Sequence, residues 1–281
     1  MRAAASIAIS ALIDAPAQPG KLIGSFPVAI YVQTAGGVVA LVAPGGVRLP
    51  NAVALARADH ATAGRHAGNS QLWVGDGGVQ VGSLRVTVGR WWDPVPRLGR
   101  LDSSPLAGRL DVVRAALPAW PEPGDAAAGR LRTGHHALAS ALTGGGDLAA
   151  AVRGLVGLGA GLTPAGDDLL AGAMAGLVVF GTALERSDAS ALARDLYRVA
   201  VEHAAATTAL AADLVQHAAR GALVQPAADL CRAIADRRPN ADSGLMPALE
   251  RLLRLGHTSG RDLAEGLLLG ASAALSFHPA P

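Results

Sequence analysis

A thirteen-residue pattern that occurs twice constrains the fold more than any other feature of the chain. Pro164–Gly176 (PAGDDLLAGAMAG) and Thr258–Gly270 (TSGRDLAEGLLLG) align without a gap at an offset of 94 residues (258 − 164). Five of the thirteen positions are identical: Gly166/Gly260, Asp168/Asp262, Leu169/Leu263, Gly172/Gly266 and Gly176/Gly270. In each copy the last two glycines stand four apart, and so share one face of a helix. A face without side chains lets two backbones approach closely. The pattern therefore predicts that the two helices cross at their glycines, which brings their N-terminal loops together.

Those loops carry the chemistry. Thr163 suits an N-cap, and Pro164 suits the first helical position, where its missing N–H costs nothing. Gly166 leaves the first turn bare, which would open backbone N–H groups to a ligand. Gly157, Gly159 and Gly161 allow a tight loop ahead of it. Open N–H groups at a helix start attract an anion such as phosphate or a carboxylate. The carboxylates of Asp167, Asp168 and Asp262 would instead take Mg²⁺, or hold amide and hydroxyl groups of a substrate. An aspartate in a first helical turn also stabilises the helix dipole by about 0.3–1 kcal/mol with no ligand at all. The convergence of two such loops favours a ligand.

The rest of the chain divides into a β-rich part and a helical part, an α+β organisation. Short Val-rich runs at residues 21–32, 37–42, 71–74, 79–81 and 83–88 alternate with glycine-rich turns, and fit a small barrel or sandwich. Met1–Ile13 reads as an N-terminal helix rather than a leader peptide. Asn51–Ala63 has helical spacing suited to closing a barrel opening. After Trp91-Trp92-Asp93-Pro94 comes a proline-rich connector with one helix at Leu106–Ala116. The boundary is expected near Ala119–Gly124, giving a β-rich domain over residues 1–120 and a helical bundle over 121–281.

Within the bundle, helices are expected over Ala126–Thr143 and Leu148–Val156, and from Pro164 through a buried core segment. A long amphipathic helix is expected from Ser190 to Arg220, then others at Ala227–Asp236, Pro247–Leu255 and Gly260–Ser276. The charge-free run Leu169–Leu184 is shorter than the roughly 20 apolar residues of a membrane span. No membrane partner is expected.

Composition excludes several functions. Of the 24 Lys and Arg residues only Lys21 is lysine, and the arginines form no dense run interleaved with aromatics. Nucleic acid is therefore not an expected partner. The single cysteine, Cys231, allows no intramolecular disulfide and reads as an inert core residue, which fits a reducing cytoplasm. No Walker, Ser-His-Asp or dinucleotide motif occurs, and the glycines at 157, 159 and 161 lack the dinucleotide spacing. His135 and His136 are adjacent, so they point in different directions on a helix and suit no shared zinc. His203 and Thr207, with Thr208 beside them, would share a face of the long helix and complete a polar pocket. A mid-helix Thr pair bonding back to carbonyls is the other reading.

The stretch Gly157–Gly172 (GLGAGLTPAGDDLLAG) resembles the G-L-G-x-G-L-T-P-S-G-D-D-x-L-x-G signature of the AllH-type family. Leu255–Gly266 (LGHTSGRDLAEG) resembles its second signature, and Thr207-Thr208 its double-threonine element. The order of these motifs after a β region and a Trp-Asp-Pro also agrees. The resemblance implies a subunit of oxamate carbamoyltransferase, which converts oxalurate and phosphate to oxamate and carbamoyl phosphate together with other subunits. A non-catalytic partner or metabolite-sensing subunit of such a complex is the alternative. On this reading Gly159, Gly161, Thr163, Gly166, Thr207, Thr208, Thr258, Ser259 and Gly260 bind a small anionic metabolite, Asp167, Asp168 and Asp262 hold its amide nitrogens, His257 moves a proton, and Asp168, Asp262 and His257 are the catalytic set. No cofactor is required by it, and Mg²⁺ at Asp167, Asp168 and Asp262 stays open. Two residues depart from the pattern: Ala165 stands where the family has Ser, and Ala211 where Ser follows the double threonine.

Overall fold

The computed structural model describes residues 1–56, 71–119, 126–238 and 242–277. They form two compact units, Met1–Pro94 and Val95–Pro281. The boundary expected at Ala119–Gly124 lies, apart from Ala119, outside the described residues.

The first unit is one nine-stranded sheet. In chain order its strands are β1 (Arg2–Ser6), β2 (Gln18–Pro19), β3 (Lys21–Phe26), β4 (Ala29–Thr34), β5 (Gly37–Val42), β6 (Ala52–Leu55), β7 (Leu72–Gly75), β8 (Gly78–Val81) and β9 (Leu84–Trp92). Across the sheet they run β2-β7-β8-β9-β1-β6-β5-β4-β3, with β1 parallel to β9 and β5 parallel to β6. The sheet is nearly closed. Its two edge strands are joined through Gly20, whose N–H donates to Leu72 O at 2.8 Å. Ile30, Val32, Val39, Leu41, Val53, Leu55, Val79 and Val81 alternate along their strands and fill the interior. Burying each such side chain contributes about 1.5–3 kcal/mol.

Two helical expectations fail in this unit. Met1–Ile13 is not a helix from its start: Arg2–Ser6 is the central strand β1, and only a 3₁₀ turn (Ile7–Ile9) and the short α1 (Ser10–Asp14) follow. Ala3 and Ala5 are small enough to lie buried between β6 and β9, so pairing on both edges overrides alanine's helical preference. Ile9 and Ile13 then enter the same core. In Asn51–Ala63, Ala52–Leu55 is strand β6, and the part from residue 57 on lies outside the described residues.

The second unit is helical: α2 (Ser103–Ala116), α3 (Ala126–Leu142), α4 (Leu148–Leu155), α5 (Ala165–Ala183), α6 (Ser187–Glu202), α7 (Ala209–Ala218), α8 (Gln225–Ala235), α9 (Asp242–Leu253) and α10 (Ser259–Ser276). Helix α9 begins a full turn before Pro247, which sits inside it. The expected helix from Ser190 to Arg220 is broken. It ends as α6, passes through a 3₁₀ turn at Ala204–Ala206 and an extended Thr207, and restarts at Thr208 as α7. Helix α5 is long and apolar enough to cross a membrane, yet most of it is buried by its neighbours, as a core helix would be.

The repeat glycines build the centre. Helices α5 and α10 run parallel, with Gly172 against Gly266 and Gly176 against Gly270. A Cβ at Gly172 would lie 2.9 Å from Gly266 Cα, and one at Gly176 would lie 3.1 Å from Gly270 Cα. The crossing expected from the glycine spacing is present, and both N-termini lie at the same end of the pair.

Candidate functional site

The two helix starts are built alike over more residues than the sequence alignment covers. At the first, Leu158 N–H donates to Leu155 O at the end of α4, and Gly166 N–H donates to Leu158 O at 2.8 Å. At the second, Leu255 N–H donates to Leu252 O at the end of α9, and Gly260 N–H donates to Leu255 O at 3.0 Å. Each repeat is thus a short helix, a loop and a long helix. The two glycines are required by packing: a Cβ at Gly166 or Gly260 would lie 2.9 or 2.8 Å from the carbonyl carbon of Leu155 or Leu252. Gly166 therefore does not leave its own N–H open for a ligand, as the sequence had implied. Asp167 N–H and Asp168 N–H both turn to Pro164 O, and Pro164, not Thr163, is the N-cap residue.

The loop amides ahead of α5 are different. Gly159 and Gly161 have φ of +120° and +96°, and both are exposed with Ala160 between them. Among the described residues no carbonyl or side chain accepts from the amides of residues 159–163. Thr163, at the end of this loop, has its hydroxyl 3.1 Å from that of Ser259 at the start of α10. That contact joins the two starts.

Beneath it lie Asp168 and Asp262, at matching positions of the repeat. Burial, with the nearby Asp262 and Asp167 charges, pushes the Asp168 carboxyl up to about 8, against the hydroxyls of Ser259 and Thr163. Its Oδ2 is shielded and has no hydrogen-bond partner among the described residues. Asp262 is buried, and burial pushes it up to about 6, opposed by the Thr258 hydroxyl and the Arg261 guanidinium. Arg261 Nη1 stands 3.6 Å from Asp262 Oδ1, too long for a hydrogen bond. Such a pair can keep a proton at neutral pH and pass it to a bound group.

Asp167 faces elsewhere. Its Oδ2 accepts from the Thr207 hydroxyl at 2.6 Å and from Gly157 N–H at 3.1 Å. Burial raises its pKa and these two bonds lower it. The cavity beside Asp167 and Thr207 has a volume of about 20 Å³, room for a water rather than a substrate. The three carboxylates suggested for Mg²⁺ are thus not one ligand set, and among the described residues no three His, Cys, Asp or Glu side chains gather to hold a metal.

The double threonine sits at the break between α6 and α7, not at mid-helix. Thr208 caps α7 by accepting from Ala211 N–H at 3.0 Å, while its hydroxyl donates to Leu162 O in the glycine loop. His203 ends α6 with its ring on Val199 O, so it shares no helix face with Thr207. Ala211 is buried in the first turn of α7, and Ala165 is half-buried at the start of α5. His257 and Thr258 are exposed in the turn that leads into Ser259.

Sequence reasoning missed a polar layer beside Asp262. Helix α3 brings His135 to Glu265, Nε2 to Oε2 3.6 Å, and Glu265 Oε1 stands 3.8 Å from Arg261 Nη2. Arg261 Nε also donates to Pro118 O at 3.0 Å. The available signal was the spacing of Arg261 and Glu265, four apart on one helix face beside Asp262.

Fold and site together define a class: an α+β protein whose helical unit is a parallel pair of repeats, with glycines at the crossing and aspartates at both helix starts. Within that class, residues 155–271 match the family described as oxamate carbamoyltransferase subunit AllH. The matched stretch runs from the end of α4 into α10 and takes in both glycine loops, the double threonine and both aspartates, so the AllH resemblance of the motifs is shown there. A family described as a subunit implies other subunits in a complex. No curated protein and no solved structure matches the chain.

Proposed function

We propose that this chain is a subunit of an oxamate carbamoyltransferase and binds a small anionic carbamoyl compound at its paired helix starts. One observation carries the reading: Asp168 and Asp262 occupy equivalent places at two parallel helix starts joined through Thr163 and Ser259. In phosphorolysis of oxalurate, a phosphate oxygen attacks the ureido carbonyl carbon and the bond from that carbon to the oxamate nitrogen breaks. The nitrogen takes a proton, and carbamoyl phosphate and oxamate result. Asp168, largely protonated at neutral pH, supplies that proton, and Asp262 holds the amide nitrogens. The open amides of residues 159–163 receive the carboxylate, and exposed His257 exchanges the proton with solvent. Asp167 and Thr207 position the loop, with Thr208 fixing its far end. Partner subunits and a cytoplasmic location belong to this reading.

Calorimetric titration with oxamate and with carbamoyl phosphate tests it. Binding of either compound, lost in Asp168→Asn and Asp262→Asn but kept in His257→Gln, is the expected result. Binding that both asparagine variants leave unchanged would place the site elsewhere. Binding without turnover, even with the partner subunits supplied, would make the chain a metabolite-sensing subunit.

A further inference from the structure

A second candidate site lies on the first unit and uses none of the residues above. Strand β9 carries Val86 and Val88 into the core of the sheet. Continued alternation would send Arg90 inward as well. Instead the pairing of β9 with β1 slips by one residue: Ala3 faces Val88, and Ala4 faces Arg90. The extra residue is Gly89, a β-bulge that reverses the phase of the strand and turns Arg90 onto the outer face. Bulges of this kind re-aim a side chain, and they concentrate beside functional sites.

On that outer face Arg90 meets two more arginines. Arg2, Arg48 and Arg90 line one cavity of about 380 Å³ whose floor is Ala4, Ala54 and Gly89. Ala4 pairs directly with Ala54 on β6, so the floor is made of the smallest side chains available and lies open between the three long ones. Arg48 is held by stacking over the Trp92 ring, 5.3 Å from its centroid. Among the described residues none of the three arginines pairs with a carboxylate, and none of the lining residues is acidic. Three like charges around one shallow cavity repel one another, and an anion placed among them would relieve that repulsion.

We infer that this cavity binds a small phosphate-bearing anion. Three of the lining residues carry guanidinium groups, each able to donate to an anion bound among them. A phosphate accepts from each on a separate, tetrahedrally placed oxygen and carries close to two charges, whereas oxalate carries the same charge on two flat carboxylates, which suit fewer of these donors at once. The cavity is of the size that holds a small ligand, and the alanine floor leaves room for its oxygens to approach the backbone.

Calorimetric titration with inorganic pyrophosphate, inorganic phosphate and oxalate, on the full chain, tests this. Pyrophosphate is expected to bind more tightly than phosphate, and phosphate more tightly than oxalate. Arg90→Gln and Arg48→Gln are each expected to weaken pyrophosphate binding by about tenfold, the loss of a charge-assisted contact, with the fold retained because both side chains are exposed. Arg198→Gln, on α6 in the other unit, and Asp168→Asn are expected to leave it intact, which separates this site from the helix starts. No heat with pyrophosphate, binding insensitive to Arg90→Gln, or oxalate binding as tightly as phosphate would each overturn the assignment. A single-stranded oligonucleotide that outcompetes pyrophosphate and is lost in the same variants would replace the small anion with nucleic acid.

Discussion

The hydroxyl of Thr163 lies 3.1 Å from the hydroxyl of Ser259, one from each repeat, above the paired carboxyls of Asp168 and Asp262. Both hydroxyls also favour the ionised form of Asp168. Removing one should therefore do two things at once. Thr163→Val is expected to cost about 1 kcal/mol of stability, the worth of a partly buried hydrogen bond. It should also raise the Asp168 pKa above its present value of about 8, readable in the carboxyl ¹³C shift as a function of pH. A pKa that stays put would mean the hydroxyl does not reach Asp168.

The glycine crossing makes a sharper stability prediction. A Cβ at Gly266 would lie 2.9 Å from both Ala173 N and Gly172 Cα, with no flexible side chain to move aside. Gly266→Ala should cost at least about 2 kcal/mol, because two packed backbones must separate. Gly129, inside α3, has open space around its Cβ position. Gly129→Ala should stabilise by about 0.5–1 kcal/mol through helix propensity alone. Equal effects at the two sites in urea titrations would refute backbone contact as the reason for the repeat glycines.

The glycine crossing was legible because steric exclusion leaves a fixed spacing in sequence. The helix break at Thr207 was not. Residues 204–206 are alanines, which read as helix, and the break is set by bonds from Thr207 to Asp167 and from Thr208 to Leu162, 40 and 46 residues away. Strand β1 was hidden for the same reason: its alanines are chosen for a narrow place between two strands, and only tertiary contact shows that place. The upstream half of each repeat escaped alignment because the loop from Leu158 to Gly166 is longer than that from Leu255 to Gly260. Arg2, Arg48 and Arg90 are too far apart in sequence to suggest one cavity.

Thr207 offers a test of that break. Its hydroxyl donates to Asp167 Oδ2 at 2.6 Å, and the carboxyl is buried. Thr207→Val keeps the shape and leaves the carboxylate with only Gly157 N–H. A loss of about 1.5–3 kcal/mol is expected, as for a hydrogen bond to a charged buried group. Thr207→Ser should restore most of it. If valine and serine behave alike, shape rather than the hydrogen bond holds the segment.

The paired carboxyls also fix how stability varies with pH. Asp168 titrates near 8 and Asp262 near 6 in the folded chain, both above the ordinary value of 3.8. Between about 4 and 8 the folded state therefore holds protons that the unfolded state releases, and stability falls as pH rises. The contribution is complete below the unfolded pKa and is gone once pH passes the folded values. Asp236, pulled down to about 2 by hydrogen bonds from Arg238, acts in the opposite sense, but only below the ordinary carboxylate value. Asp168→Asn replaces a carboxyl that is neutral through most of this window with a neutral amide. The variant should lose the slope between pH 6 and 8, keep only the Asp262 share of the slope between 4 and 6, to which both carboxyls contribute in the wild type, and become the more stable protein at pH 8. Urea midpoints measured at intervals across this range would show it. A wild-type midpoint that is flat or rises toward pH 8 would mean that Asp168 ionises freely and is no store for a proton.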